Sequence, residues 1–469
     1  MYCSRYISTF DIDDATSLLV NALTGAVDIA PSSVVRQMRE HPSSLPSDTL
    51  AQLHERGYLV SSPDEERRRL EDTASLARSI RSRNRPREYC ICPTFHCNLA
   101  CTYCFERDID KKPHVMGEEE IAALFVAIDR LAEEEEQPPN LQLFGGEPLM
   151  RATRGAVEEI LAGAQLRGLQ TMVVTNGVSV VEFADVIRRF ASGLKAFQIT
   201  IDGPPEIHNE RRKSPGKNGA GTFDDMARGV DFLLGEGLNV ALRINVDRHN
   251  IDHLPDLAGI IVDRGWHGRE NFRTTIAPVQ THCNDTTYPH YMREDEIVAR
   301  VTQMFADEPG TEEVLNFDSH RLLKRIAAAL GLGPGSYAGP NFHYCEACLL
   351  EVYVFGSDGL IYPCSEAIGN EQLSIGAFYP ALEMYEKRKA QWEDRSALKM
   401  PECRECSIVS FCAGGCAYAA IRVNGDICKP VCGEAKDVLA AYVRHVAPRI
   451  REAFDAKVSR REPDVVSAQ

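Results

Sequence analysis

Six short apolar runs alternate with six amphipathic stretches between residues 88 and about 310, and this alternation restricts the fold more than any other feature. The runs predict strands at 88–92, 140–144, 171–175, 196–201, 239–246 and 272–277. The amphipathic stretches predict helices at 118–135, 153–167, 180–191, 223–235, 254–265 and 293–307. Strand-helix units in series build a parallel sheet, so we expect an α/β fold with an open sheet or a partial barrel.

The regions on either side of this core have different patterns. Residues 1–62 contain short apolar stretches, two helical patterns and a strand-like run at 57–60, which predict a small winged-helix-like domain. After residue 340 the alternation stops and cysteines dominate. The predicted domains are an N-terminal leader-recognition-like or cap domain at 1–62, a charged helix and linker at 63–87, the core at 88–310, a connecting helix at 311–340, a cysteine-rich domain at 341–450 and a polar tail at 451–469.

The charge and the apolar content exclude two kinds of partner. The 469 residues carry 52 Lys and Arg against 68 Asp and Glu, a formal net charge of -16, which is the wrong sign for binding a phosphate backbone. No run approaches the roughly 18 apolar residues of a membrane span, and the N-terminus lacks the pattern of a signal peptide. We therefore expect a cytoplasmic protein without nucleic-acid or membrane partners. In a reducing cytosol, clustered cysteines bind metal more often than they form disulfides.

The 16 cysteines form three groups and four isolated positions. The first group, Cys97, Cys101 and Cys104, lies just past the first predicted strand. A structural zinc site and a closed 4Fe-4S cluster each take four ligands, so a three-cysteine cluster leaves one iron open for a substrate or cofactor. The other two groups are Cys345, Cys348 and Cys364, then Cys403, Cys406, Cys412, Cys416, Cys428 and Cys432. The isolated residues, expected to be structural, are Cys3, Cys90, Cys92 and Cys283.

Polar motifs follow the later predicted strands. They are Gly145-Gly146-Glu147-Pro148, Thr175-Asn176-Gly177, Thr200-Ile201-Asp202-Gly203 and Arg243-Ile244-Asn245-Val246-Asp247. The two glycines of the first motif allow close backbone approach to a ligand, and its carboxylate could accept hydrogen bonds from an ammonium. Because catalytic and cofactor groups collect at the carboxyl ends of parallel strands, we expect these motifs and the first cysteine group to share one face of the sheet.

The order of these motifs resembles that of the radical S-adenosylmethionine (SAM) superfamily over about residues 88–310. The resemblance rests on Cys97-x3-Cys101-x2-Cys104 with the aromatic Tyr103, on the GGEP motif, and on the spaced TNG and TIDG turns. It implies a partial (β/α)6 barrel whose open iron binds S-adenosylmethionine. It further implies one-electron cleavage of that cofactor to a 5'-deoxyadenosyl radical, which abstracts hydrogen from the substrate.

The same resemblance implies roles for individual residues. Gly145, Gly146 and Glu147 would hold the methionine moiety of S-adenosylmethionine, with Glu147 on its ammonium. The remaining implied cofactor contacts are Thr200 and Asp202 near the ribose and carboxylate, Tyr103 near the adenine, and Asn245. His208, Arg211 and Arg212 begin a loop that runs on into a glycine-rich segment, and we expect a mobile surface segment there, with a lid over the cavity as the alternative.

The cysteine-rich tail resembles the SPASM extension of radical SAM enzymes. By position, the resemblance implies a first auxiliary 4Fe-4S cluster on Cys345, Cys348, Cys364 and Cys416, and a second on Cys403, Cys406, Cys412 and Cys432. Cys428 is the predicted spare, since Cys432 directly precedes a helical run, although the choice between these two stays open. The alternative is a closed zinc site on Cys403, Cys406, Cys412 and Cys416. Auxiliary clusters would conduct electrons or position the substrate.

The predicted function is the maturation of a ribosomally made peptide. The SPASM enzymes that the chain resembles mostly act on peptides, so we expect hydrogen abstraction from a precursor peptide and a thioether or carbon-carbon cross-link. The N-terminal domain would bind the leader as an added edge strand, and a flavodoxin or ferredoxin would supply electrons. Where anaerobic sulfatase maturases have an Asp after the cysteine of the Gly-x4-Cys element, this chain has Ser365 and then Glu366, which disfavours formylglycine formation unless Glu366 is the catalytic base.

Three alternatives to this function are kept. The first is maturation of a folded protein, such as a sulfatase or a quinone-bearing dehydrogenase. The second is a peptide epimerase. The third is not an enzyme at all but an iron-sulfur electron carrier or a zinc-based interaction protein, although a carrier would have no use for the GGEP motif or for a cluster with an open iron.

Overall fold

The structure is a computed structural model that describes residues 1–81, 86–109, 114–133, 137–215, 221–279, 288–315, 317, 321–330, 332 and 339–459. Cys283 and the glycine-rich end of the loop after His208 lie outside these ranges. In the described part of the chain, none of the helices combines the length and apolar character needed to cross a bilayer.

The N-terminal region folds as two small sheets and three helices. Its strands are β1 (Tyr2–Cys3), β2 (Ile7–Asp11), β3 (Thr16–Asn21), β4 (Val27–Pro31) and β5 (Leu59–Val60), and its helices are α1 (Ser32–Glu40), α2 (Ser47–Glu55) and α3 (Pro63–Arg81). Strands β2, β3 and β4 form an antiparallel sheet in that order, and β1 pairs with β5. Both predicted helices and the strand near residue 60 are confirmed, whereas β1 to β4 were not predicted as strands.

The central sheet contains the six predicted parallel strands. The strands of the core, including two short ones, are β6 (Glu88–Ile91), β7 (Ala100–Cys101), β8 (Asn140–Leu143), β9 (Thr171–Thr175), β10 (Leu194–Thr200), β11 (Arg212–Lys213), β12 (Val240–Val246) and β13 (Phe272–Pro278). Its helices are α4 (Glu118–Ala132), α5 (Arg154–Leu166), α6 (Ala184–Phe190), α7 (Pro205–Arg211), α8 (Phe223–Gly235), α9 (Leu254–Asp263) and α10 (Glu294–Asp307). The order β6-β8-β9-β10-β12-β13 is parallel throughout, which confirms the predicted α/β class.

Apolar side chains hold this sheet to its helices. Strand β12 buries Val240, Leu242, Ile244 and Val246 on alternate positions, and α8 places Val230 and others of its apolar residues in the same core. The period of two in the strand and the 3.6-residue period in the helix are the patterns from which both were predicted. Burial of these residues fixes the register of the strands, and the register brings their carboxyl ends to one edge of the sheet.

The cysteine-rich region continues the same sheet. Its strands are β14 (Val352–Phe355), β15 (Leu360–Tyr362), β16 (Gly376–Ala377) and β17 (Glu383–Met384). Strand β14 pairs in parallel with β6, and the other three add on in antiparallel fashion, which makes a ten-stranded sheet with β13 and β17 at its edges. This extension was not predicted, because a run of only four apolar residues between cysteines carries no periodic signal of its own.

Two helix predictions near the C-terminus need correction. The helices are α11 (Pro309–Val314), α12 (Arg321–Leu330), α13 (Glu386–Glu393), α14 (Pro401–Arg404), α15 (Val409–Cys412), α16 (Ala417–Asn424) and α17 (Ala435–Ser459). The single connecting helix predicted at 311–340 is two helices in the described residues. The polar tail predicted from residue 451 is helical as far as Ser459, because α17 packs its buried apolar face on α10 and α12.

The N-terminal sheet is fixed to the cysteine-rich region. The Tyr6 hydroxyl donates to the Arg404 carbonyl over 2.5 Å, and the Ser410 hydroxyl donates to the Ala22 carbonyl over 2.5 Å. Arg5 also forms an ion pair with Glu405. Arg404, Glu405 and Ser410 lie among the cysteines of the third group, so the small sheet lies directly beside those cysteines.

Candidate active site at the carboxyl ends of the parallel strands

A short two-stranded ladder positions the loop that carries the first cysteine group. Strand β7 pairs antiparallel with β11, so Cys101 lies opposite Arg212. The Thr102 N–H donates to the Arg211 carbonyl over 3.0 Å. The loop after β6 is thereby tied to the segment after β10, and the first and fourth strand ends are held together.

The thiols of the first group lie close enough to affect one another. Burial raises the pKa of Cys97 to about 12, and the neighbouring charges of Glu147, Cys101 and Cys104 raise it further. Burial also raises the pKa of Cys101. Negative charge on three thiolates in one partly buried loop is unfavourable unless a cation binds there, because like charges repel more strongly away from water. The donor set therefore fits an iron-sulfur cluster, whose irons supply that positive charge.

The two glycines of the GGEP motif lie against the cysteine loop itself. Gly145 has φ +119°, and a Cβ atom there would lie 2.2 Å from the Cys92 Sγ. At Gly146 a Cβ atom would lie 2.0 Å from the carbonyl oxygen of His96, whose carbonyl also accepts the Glu147 N–H over 2.8 Å. The close backbone approach predicted at this motif is therefore made to the cysteine loop, and any side chain at either position would displace that loop.

Glu147 links the second and third strand ends. It is 1% exposed, and its Oε1 accepts from the Leu149 N–H over 2.8 Å and the Thr175 hydroxyl over 2.6 Å. Its Oε2 accepts from the Asn176 N–H over 2.6 Å, and the Asn176 amide in turn donates to Asn98 in the cysteine loop over 2.7 Å. Burial raises the pKa of Glu147 to about 7, although these hydrogen bonds favour the charged form. Glu147 thus joins the GGEP and TNG motifs beside the cysteine triad.

Tyr103 connects the cysteine loop to the fourth and fifth strand ends. Its hydroxyl donates to Asp202 and accepts from Arg212 Nη1 over 2.7 Å and from Asn245 Nδ2 over 3.3 Å. Asp202 also accepts the Asn245 N–H over 2.9 Å, and the Arg211 guanidinium lies 4.8 Å from the centre of the Tyr103 ring. Burial raises the pKa of Tyr103, so the phenol stays neutral. The structure thus brings together Tyr103, Asp202 and Asn245, as expected for one face.

The segment after β10 is buried, and the expectation of a mobile surface segment is wrong for His208, Arg211 and Arg212. Arg211 donates to Asp247 over 2.5 Å, and its Nε lies 3.6 Å from Asp202. His208 Nδ1 accepts the Asp202 N–H over 3.2 Å, and burial lowers the pKa of His208 to about 3, so the imidazole is neutral. Two carboxylates at buried strand ends require cations.

Arg243, named above only as part of a polar strand-end motif, is a further arginine of this site. Arg243 is opposite Thr200 across β10 and β12, and its Nε donates to the Asn245 side chain over 2.8 Å. Burial lowers the pKa of Arg243, while Tyr103, Asp202 and Glu366 oppose that shift. Glu366 is half-buried in the turn after Cys364. The predicted base therefore faces the strand ends from the cysteine-rich side.

Cys345, Cys348, Cys364 and Cys416 lie close enough for their thiols to affect one another. A hydrogen bond with Cys345 raises the pKa of Cys348, and burial adds to that rise. Burial raises the pKa of Cys364, with further contributions from Cys345 and Cys416. The four thiols come from the turn before β14, from the end of β15 and from the start of α16.

Cys403, Cys406, Cys412 and Cys432 likewise lie close to one another. Burial raises the pKa of Cys403 to about 12, with contributions from Cys412, Cys432 and Cys406. Cys406 and Cys432 likewise raise the pKa of Cys412, after burial. Cys428 is exposed and is not among the neighbours that affect either thiol.

This grouping separates the members of the alternative zinc site. Cys416 raises the pKa of Cys364, whereas Cys432 raises the pKa of Cys403 and that of Cys412. Across the described ranges, no three Cys, His, Asp or Glu side chains converge as they would around one metal ion. Thiols around a four-iron cluster surround a larger body than one ion, so both tail groups fit such a cluster better than zinc. Of the isolated cysteines, Cys90 and Cys92 are buried as expected.

Comparison with known proteins identifies the class. Residues 91–260 match the model of the radical SAM superfamily. The AdoMet-dependent heme synthase of Oleidesulfovibrio alaskensis is 30% identical over 37% of this chain and 42% of its own length, so this chain spans less than half of that relative. The cysteine-type anaerobic sulfatase-maturating enzyme of Clostridium perfringens is 23% identical over 68% of this chain and 85% of its own length.

Two solved structures share the fold. The structure of anSMEcpe with bound AdoMet has a TM-score of 0.62 at 17% identity and covers 79% of this chain and 96% of its own. Streptococcus suis SuiB bound to the precursor peptide SuiA has a TM-score of 0.52 at 14% identity and covers 90% of this chain and 96% of its own.

Residues 91–260 therefore form a radical SAM domain. Over 68% and 75% of its length the chain is similar to cysteine-type and serine-type anaerobic sulfatase-maturating enzymes. A radical SAM domain implies a 4Fe-4S cluster and S-adenosylmethionine as cofactors, as the resemblance of the cysteine triad and the strand-end motifs also implied.

Proposed function

We propose that this enzyme abstracts hydrogen from a ribosomally made precursor peptide and installs a thioether or carbon-carbon cross-link. The observation that carries the proposal is the position of the N-terminal sheet, which is fixed onto the segment that bears the third cysteine group. A peptide held by that sheet lies next to the cysteine-rich region. The likeness to SuiB, a protein solved with its precursor peptide, extends over 90% of this chain and supports the proposal.

The first cysteine group would hold the 4Fe-4S cluster that binds S-adenosylmethionine. When bound, the cluster and S-adenosylmethionine supply the 5'-deoxyadenosyl radical for hydrogen abstraction. Side chains of the protein hold the surrounding strand ends in place. The hydrogen bond between Glu147 and Asn176 connects the ends of β8 and β9. Tyr103, Asp202 and Asn245 connect the cysteine loop with the ends of β10 and β12. The cofactor contacts proposed on this basis are Gly145, Gly146, Glu147, Tyr103, Thr200, Asp202 and Asn245.

The tail groups would hold two auxiliary 4Fe-4S clusters, which gives three clusters in all. An oxidised auxiliary cluster would accept the electron that the peptide radical loses, together with a proton, when the cross-link closes. The proposed ligands are Cys345, Cys348, Cys364 and Cys416 for the first, and Cys403, Cys406, Cys412 and Cys432 for the second. Glu366 adjoins the first of these groups and faces Arg243 on the barrel side, which suits a base that takes a proton from the peptide. A flavodoxin or ferredoxin would deliver electrons.

The outer edge of β4 supports leader binding beyond Val27, whose carbonyl on that edge accepts from Arg56 Nη2 over 3.3 Å. Asn21 donates to the Ala26 carbonyl and Ser32 to the Ala15 carbonyl, so Asp28 and Ala30 form the paired positions of β4. The backbone N–H and carbonyl of Ile29 therefore point away from β3, along the outer edge of the sheet. The opposite edge strand, β2, packs against α17. An extended peptide could add to β4 through its main chain.

A matched pair of substitutions tests the leader site. Ile29→Pro removes the outward N–H of β4, and we expect it to weaken binding of the precursor by about 10-fold, the effect of losing roughly one main-chain hydrogen bond and its register. Thr9→Pro makes the same change at an outward position of β2 and should leave binding unchanged. Fluorescence anisotropy with a labelled leader peptide measures both. Equal loss in the two variants would contradict docking on β4.

The reaction is tested by co-expression with each short open reading frame beside the gene, followed by mass spectrometry of the encoded peptides. A peptide that loses two hydrogens for each cross-link supports the proposal. An unchanged mass with inverted stereocentres would identify an epimerase instead.

The second candidate, maturation of a folded sulfatase, is favoured by the alignment with the sulfatase-maturating enzyme over 68% of this chain. Conversion of a sulfatase Cys or Ser to formylglycine, with no change in the short peptides, would select it.

A further inference from the structure

Arg395 is a buried cation without an acidic partner. It is 2% exposed, and among the described residues no Asp or Glu forms an ion pair with it. Its Nε is buried and has no hydrogen-bond partner. Removing a guanidinium from water costs several kcal/mol unless an anion compensates for it. The carbonyl dipoles around Arg395 offset part of that cost but carry no net charge.

The guanidinium holds two loops of the cysteine-rich region together. Nη2 donates to the carbonyls of Gly414 and Gly415 over 3.0 and 2.7 Å. Nη1 donates to the carbonyls of Ile427 and Lys429 over 2.7 and 3.4 Å. These four carbonyls lie on either side of α16, in the loops that lead into and out of the cysteine positions.

The positive charge lies close to both tail groups. Arg395 Nη1 is 3.8 Å from the sulfur of Met400, which is itself 3.8 Å from the thiol of Cys403. The segment after Arg395 also contacts the chain just before the second cysteine group. The Ala397 N–H donates over 2.9 Å to the carbonyl of Phe342, three residues before Cys345.

The guanidinium lies beside proposed ligands of both clusters. Gly415, whose carbonyl accepts from Nη2 over 2.7 Å, directly precedes Cys416 of the first proposed auxiliary cluster. Met400 lies between Nη1 and the Cys403 thiol of the second. One buried cation is therefore placed next to both groups.

We propose that Arg395 is the shared counter-ion of the two tail groups, and that its charge makes the iron-sulfur cluster in each of them easier to reduce. A cluster ligated by four thiolates is anionic, and accepting an electron adds negative charge, which a nearby buried cation stabilises. The inference rests on the two auxiliary clusters proposed above and does not depend on the peptide substrate.

The test uses the full-length chain with Cys97, Cys101 and Cys104 changed to Ala, so that only the tail clusters remain. In this background we compare Arg395→Gln, which removes the charge, with Arg395→Lys, which keeps it. The matched control is Arg388→Gln, because Arg388 also donates to main-chain carbonyls of the cysteine-rich region, those of Glu371 and Ser374 over 2.8 and 3.3 Å, and neither of these residues adjoins a cysteine.

Midpoint potentials are measured by reductive titration with redox mediators, monitored by electron paramagnetic resonance, together with iron content. Arg395→Gln should shift both tail potentials to more negative values, Arg395→Lys should restore most of the shift, and Arg388→Gln should leave both potentials where they were. Unchanged potentials in Arg395→Gln, or equal shifts in the Gln and Lys variants, would overturn the inference. If the Arg395→Gln variant loses its iron, the Arg395→Lys variant decides the question. Normal iron content and normal potentials in Arg395→Lys would support the counter-ion role, and loss of iron from Arg395→Lys would overturn it. A parent variant without iron would overturn the two-cluster proposal and this inference with it.

Discussion

Glu147→Gln separates the two roles that Glu147 holds. The carboxylate accepts three hydrogen bonds from its own protein and is the proposed contact of the S-adenosylmethionine ammonium. Glutamine keeps the shape and one acceptor oxygen but turns an NH2 group toward one of the former donors. A buried donor left without an acceptor costs roughly 1–3 kcal/mol, so we expect a loss of stability of that size. Glu147→Ala would orphan all three donors and would confuse folding with binding.

The pH dependence of this loss has a defined sign. Burial raises the pKa of Glu147 to about 7, whereas an unfolded glutamate titrates near roughly 4.3. Between these values the native state holds a proton that the unfolded state has released, so this contribution to stability is complete below the lower value and is lost as the pH rises through the upper one. Its span is on the order of 3 kcal/mol. The stability advantage of the wild type over Glu147→Gln should therefore shrink as the pH rises from about 5 to about 7.

Affinity for S-adenosylmethionine reports the second role. Losing a charge-assisted contact in a partly dry site costs roughly 1.5–3 kcal/mol, so Glu147→Gln should weaken binding about 10- to 100-fold in anaerobic calorimetry while the cluster is retained. The control is Glu66→Gln, since Glu66 is also buried and accepts from the Arg5 N–H and Nε over 2.9 and 2.7 Å, far from the site. Glu66→Gln should lower stability and leave affinity unchanged. Unchanged affinity in Glu147→Gln would show that the carboxylate serves only the turn.

Three further predictions concern the clusters. Reconstituted wild type should bind about twelve irons, and changing Cys97, Cys101 and Cys104 together to Ala should remove about four of them and all cleavage of S-adenosylmethionine; cleavage that survives would refute the triad. Cys403→Ala or Cys412→Ala should spare cleavage in the absence of peptide but abolish the modified peptide seen by mass spectrometry, and normal product would mean that the tail groups are only structural. Gly146→Ala should lower iron retention at the first cluster, because its Cβ would meet the His96 carbonyl at 2.0 Å, whereas Gly155→Ala, with no atom within 4 Å, should retain full iron.

Most of the fold follows from local periodicity. The six parallel strands and their helices could be predicted because each is buried on defined positions and long enough to show its period. The short strands β7 and β11 could not, since two residues carry no pattern, yet they position the cysteine loop. The pairing of β14 with β6 also escaped prediction, because a long-range partner is chosen by tertiary packing.

The site was predictable where chemistry dictates residue type. Thiols at metal-ligand spacing and glycines at a crowded turn can be recognised from the chain alone. The buried cations Arg211, Arg243 and Arg395 could not, because an arginine is usually a surface residue and only the assembled fold places carboxylates or thiols around it. A charged segment such as the one after β10 has the same composition whether it forms an exposed loop or a buried ion-pair network, so composition alone does not distinguish the two.

Transfer of deuterium from the peptide tests the central proposal most directly. The precursor peptide, made fully deuterated, is incubated anaerobically with reductant, S-adenosylmethionine and the enzyme, and the 5'-deoxyadenosine formed is analysed by mass spectrometry. Hydrogen abstraction from the peptide predicts that each cross-link transfers one carbon-bound deuterium atom to 5'-deoxyadenosine. The peptide also loses a second hydrogen, which is a solvent-exchanged thiol proton for a thioether and a second carbon-bound deuterium for a carbon-carbon bond. A modified peptide accompanied by 5'-deoxyadenosine without deuterium would contradict the proposal.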